Sequence, residues 1–177
     1  MEPLQNPGSY PEGTTPVCVL GERHLPEAPP PQASRNQRNV MHMLNKRLFD
    51  AIACAVDLDD PAEQPLAQRF MIEAIGGVTA QLPAAAKSAA AVAYRYITGA
   101  ATAEEVIAER VRLWRAIEGR DQSHAPDVLK IRTAICVLHP MDSGATAETL
   151  EYFFEFWRQA GLPQSELEAA ARNRYGI

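Results

Sequence analysis

The chain has 177 residues, a mass of 19.4 kDa, 46% hydrophobic and 22% charged residues, and a formal charge of −5. That composition suits one core-forming domain with or without a tail, and it excludes global disorder. An acidic chain has no general attraction for nucleic acid or an anionic membrane, and three cysteines make no disulfide framework.

Eight of the fourteen prolines lie within residues 1–31, ending in Pro29-Pro30-Pro31. No apolar periodicity accompanies them, so residues 1–34 are expected to form a disordered, Pro-rich arm ahead of a single all-helical domain over 35–177. Its one apolar patch, Val17-Cys18-Val19-Leu20, either floats with the arm or docks as an extended strand. There is no basic n-region with an apolar run behind it, and no stretch of the roughly 20 apolar residues that a membrane helix needs. The expectation is a cytoplasmic protein with no membrane partner. Fourteen arginines against three lysines, with twenty-nine alanines, point to a GC-rich and hence bacterial genome.

Helical periodicity begins after Ser34. Met41, Leu44, Leu48, Ile52 and Ala55 share one face. Asp57, Asp59, Asp60 and Pro61 end that helix, and Asp60 with Pro61 is expected to start the next, with its stripe at Leu66, Phe70, Ala74 and Val78. Gly76-Gly77 should weaken or bend it. Pro83 opens a third helix through Ala89, Val92 and Tyr96, closed by Gly99. Thr102 and Glu105 form a capping box for a fourth, in which Ile107, Val111 and Trp114 make the apolar face, widened by Val106, Leu113 and Ile117.

Pro126 starts a fifth helix with Val128, Ile131, Ile135 and Leu138 on one face. Its end, Ala134 to Leu138, is apolar all round and should lie centrally, a short buried strand being the competing reading. Thr146 is expected to cap a sixth helix whose inward face is Leu150, Phe153, Phe154 and Trp157. Gly161 and Pro163 stop it, and Ser165 with Glu168 reads as a second capping box, for a last helix that turns Leu167 and Ala171 inward. About seven helices with short loops and no sustained alternation of period two define an all-α fold, a compact bundle or orthogonal array. A short repeat-like stack is the lesser alternative.

Chemistry is sparse. Cys136 and His139 make a C-x-x-H and Asp121 and His124 a D-x-x-H, whereas structural zinc needs four convergent ligands; no metal and no cofactor are expected. No Glu-x-x-His occurs, which argues against a di-iron bundle. Asp57, Asp59 and Asp60 lack the EF-hand glycine and are better explained by helix termination. Cys54 and Cys136 are expected to be buried, and an apolar setting at Cys136 does not make a reactive thiol. No catalytic residue is assigned.

Two charged surfaces remain. On the sixth helix Glu148, Glu151, Tyr152, Glu155 and Phe156 fall away from the core face and resemble an aromatic anchor with an acidic rim. At the start of the folded region Arg35, Arg38, Lys46 and Arg47 give +4 over residues 35–47, followed by −4 over 48–60; these four could contact an anion or phosphate, though Asp50 can absorb Lys46 or Arg47. The functional expectation is a protein-interaction module, an adaptor or an inhibitor or immunity-type protein, whose partner is another protein with a basic face. An enzyme with a hydrolase-like site assembled from scattered residues is the alternative, and a nucleic-acid-linked regulator using the 35–47 patch the second. A homo-oligomer is compatible with the same sequence.

Overall fold

The computed structural model describes residues 35–139 and 145–177; within the first helix, side chains are described at Met43 and from Asn45 onward. The Pro-rich arm, Val17–Leu20 and Pro140 lie outside the described residues. Seven α-helices follow in order: α1 Arg35–Ala55, α2 Gln64–Gly77, α3 Ala89–Ile97, α4 Ala103–Ala116, α5 Pro126–Cys136, α6 Thr146–Gln159 and α7 Gln164–Tyr175. Two single 3-10 turns, Thr79–Gln81 and Ala84–Ala86, join α2 to α3. No strand occurs among the described residues, and residues 134–138, buried throughout, finish a helix and its closing turn.

The helix pair α5–α6 is the most extensive, α2 packs on α7 and α3, α3 on α4, and α1 on α6 and α7. Phe70 of α2 stands where these layers meet. Its ring is edge-on to Phe153 at 6.2 Å, stacked on Phe154 at 5.8 Å and tilted against Tyr175 at 6.1 Å. Aromatic pairs at these separations add to the burial of their area. Trp157, Phe153 and Leu150 are fully buried beside it, as the periodicity of α6 predicts. Buried polar side chains are spent on backbone carbonyls: Asn45 Nδ2 donates to Phe154, Gln68 Nε2 to Val137 and Trp157 Nε1 to Pro163. These bonds tie α1 to α6 and α2 to the end of α5, and satisfy the donors of these side chains, as burial requires.

Several helix starts differ from the sequence reading. Asp60 does not cap α2: its carboxylate accepts from the Ala62 amide at 2.8 Å in a turn, and the helix begins at Gln64 with Pro65 in its first turn. Pro83 opens the 3-10 turn, and α3 starts only at Ala89. Thr146 is the first residue of α6, and buried, so the N-cap position falls to Ala145. The Ser165–Glu168 box is also absent: Pro163 precedes α7, and its carbonyl receives both the Trp157 indole and the Glu166 amide. In each case a proline or a buried contact fixes the first turn before the capping residue can. The glycine pair ends α2 rather than bending it. Gly77 also admits the Glu166 carboxylate of α7 so closely that a side chain there would overlap it.

The Thr102–Glu105 box is formed in full. The face of α4 is the largest departure. Val106, Leu113 and Ile117 are buried, whereas Ile107, Val111 and Trp114, expected to face the core, are 49%, 41% and 43% exposed. A lateral network fixes this rotation. Arg112 donates to the Ala85 carbonyl, to Ser88 Oγ at 3.0 Å and to Glu109, which also accepts from Ser88. Arg112 holds the Glu109 carboxyl below its ordinary value.

Candidate functional site

Helix α6 commits Leu150, Phe153, Phe154 and Trp157 to the core, so its remaining positions fall on two flanks. On one flank Glu148, Tyr152 and Phe156 line an open cleft of about 350 Å³ against Arg132, Ile135 and Cys136 of α5, with Trp114 of α4 at its edge. On the other, Glu151 and Glu155 border a groove of about 380 Å³ shared with Asn45, Lys46, Phe49 and Asp50 of α1. The five residues thus form two surfaces on opposite flanks of one helix.

The first flank is aromatic. Tyr152, 50% exposed, stacks on the half-buried Phe156, with ring centroids 5.8 Å apart and planes within 9°. The Arg132 guanidinium lies over the Phe156 ring at 4.1 Å, a cation–π contact that holds the Arg132 side chain in place. Its Nε is buried without a hydrogen-bond partner, and Arg132 forms no ion pair among the described residues. Glu148 is exposed at the rim. On the second flank the acid is partly spent: Glu155 accepts from Arg158 Nε at 3.0 Å and from Gln159.

Of the basic segment, Lys46 is paired with Asp50 at 2.7 Å, as its spacing predicts, and Arg47 is exposed. The side chains of Arg35, Arg38 and His42 lie outside the described residues. The thiols behave differently from one another. Cys136 is buried, its Sγ donates to the Arg132 carbonyl at 3.4 Å, and burial pushes its pKa up to about 12. A thiol kept protonated at neutral pH is a poor nucleophile. Cys54, expected to be buried, is exposed. The inward stripe of α1 runs through Asn45 and Ile52 and on to Val56, and Cys54 falls off it.

Asp57 and Asp60 accept from the amides of Asp59 and Ala62, and Glu63 reaches back to the Asp57 amide at 2.7 Å. These acids organise the α1–α2 turn. Among the described residues no group of three or more His, Cys, Asp or Glu is placed to hold a metal ion, and no helix is long and apolar enough to cross a membrane. His124 Nδ1 lies 3.0 Å from Gln159 Oε1, which ties the loop before α5 to the end of α6.

Local periodicity does not reach two side chains at the cleft: it places Trp114 on the core face of α4 and does not single out Arg132. The available signal for Arg132 is a cation flanked by the apolar Ile131 and Ala134 to Leu138, next to a helix rich in aromatics. No protein-family model matches this chain, and neither a curated protein nor a solved structure does.

Proposed function

We propose that this chain is a protein-interaction module that engages its partner at the cleft between α5 and α6. The observation that carries the reading is the meeting of Trp114, Tyr152 and Phe156 at one open cleft, two of the three being substantially exposed. Exposed large aromatics gathered at a concave, mainly apolar site are the usual anchors of a protein interface. Tyr152 is pre-positioned by its stack on Phe156, and Phe156 by Arg132, so little side-chain freedom is lost on binding. Glu148 and Glu151 are exposed on the same helix and would speed association with a partner that presents a basic face.

The test is capture from a whole-cell extract by the tagged full chain, compared with Tyr152→Ala and Trp114→Ala. Loss of the same captured protein in both variants, with unchanged melting curves, supports the reading. Association with that protein should also slow as salt rises. Capture unaffected by either substitution would remove the cleft as the binding site.

A further inference from the structure

The outer face of α4 is a second surface, which shares Trp114 alone with the wall of the cleft. Glu104, Ile107, Ala108, Val111, Trp114 and Arg115 recur at steps of three and four, and every one is exposed. The opposite side of the helix, through Val106 and Leu113, is buried. The row is therefore an amphipathic stripe with nothing packed on it among the described residues. Its ends carry opposite charges: Glu104 in the first turn and Arg115 in the last.

We propose that this face is a self-association surface, and that its occupant is α4 of a second copy of the chain, running antiparallel. Three features of the row select that occupant and direction. A two-fold axis midway between Ala108 and Val111 sets Ala108 of one copy against Val111 of the other, and the reverse, with Ile107 flanking them, which is the self-complementary pairing of an isologous contact. Ala108, beside the axis, lets the two helices approach closely. Glu104 and Arg115 lie equally far from the axis, about 16 Å apart at ~1.5 Å per residue, so each Glu104 meets the other copy's Arg115. A parallel arrangement would set Glu104 against Glu104 and Arg115 against Arg115. A 14-residue helix offers an interface smaller than a standard stable one. The dimer is therefore weak and depends on concentration.

Sedimentation of the full chain across a concentration series tests this. The expected result is a reversible monomer–dimer equilibrium. Val111→Glu sets two carboxylates at the centre and should leave monomer at every concentration, with its melting curve, taken at low concentration, that of the parent. Glu104→Arg alone should raise the dissociation constant roughly two- to tenfold, since two symmetric exposed pairs become repulsive, and Glu104→Arg with Arg115→Glu should restore it. A chain that stays monomeric throughout overturns the proposal and leaves the row to a different protein or to residues 1–34. A dimer indifferent to Val111→Glu, or one that the double swap does not rescue, overturns it equally. Trp114 belongs to both surfaces, but Tyr152 lies outside the row and Val111 outside the cleft, so Tyr152→Ala and Val111→Glu separate a lost cleft partner from a lost dimer.

Discussion

Helices α4 and α6 have the same length, fourteen residues, and each carries two sets of apolar positions. In α6 the denser set, Leu150, Phe153, Phe154 and Trp157, is buried, and the sparser pair Tyr152 and Phe156 looks outward. In α4 two sets of three compete, and the more regular one is left outside. The regularly spaced Ile107, Val111 and Trp114 are exposed, and Val106, Leu113 and Ile117 fill the core. The difference follows from position. Helix α6 packs against α1, α2 and α5, and only a broad apolar face can satisfy three neighbours. Helix α4 packs mainly on α3 and only lightly on α5 and the short 84–86 turn, so a narrow face suffices. Its rotation is fixed from the side by Arg112, which reaches the Ala85 carbonyl and Ser88. A regular stripe thus shows that a helix is amphipathic without showing which stripe faces the core.

The sharpest way to break this comparison is a set of three truncations. Trp157→Ala in α6 should destabilise the fold by about 3–5 kcal/mol, and Leu113→Ala in α4 by about 2–5 kcal/mol, because each opens a cavity at a fully buried site. Val111→Ala should change stability by no more than about 0.5 kcal/mol, as surface substitutions do. Chemical denaturation measures all three. If Val111→Ala costs as much as Leu113→Ala, α4 is rotated relative to this structure. A smaller effect is expected from Thr102→Ala, which removes one half of the capping box and should cost about 1 kcal/mol.

The smallest effect concerns the lateral network of α4. Arg112 holds the Glu109 carboxyl below its unfolded value, so the pair adds stability above the unfolded carboxylate pKa and loses it as pH falls through the lowered one. Glu109→Gln should therefore melt below the parent at neutral pH, and the gap should close in acid. A gap that persists unchanged at low pH would show that the carboxylate charge is not what fixes α4 against Ser88.

Much of this was legible in the sequence. The core faces of α5 and α6, the α4 capping box and the helix stops at Gly99, Gly119 and Gly161, all with positive φ, follow from local rules. The spacing anticipates Lys46–Asp50, and the same i,i+3 rule accounts for Glu109–Arg112 and Glu155–Arg158. The starts of α2, α3, α6 and α7 differ from the local reading by one to six residues, because prolines and contacts beyond one helical turn, such as that of Trp157 with Pro163, define those turns.

The candidate site divides along the same line. That Tyr152 and Phe156 leave the core face was readable from spacing along one helix. That Glu148 joins them while Glu151 and Glu155 fall to the α1 side depends on where α1 and α5 lie, and no local pattern encodes that. The same holds for Arg132 over Phe156 and for Trp114 at the cleft edge. The sequence by itself determined which segments are helical, where most of them stop and which residues can pair within a turn, because those interactions span four residues or fewer. Only the tertiary structure decided which of two apolar stripes α4 buries and which side chains meet across helices, because burial free energy depends on the neighbour that excludes the water.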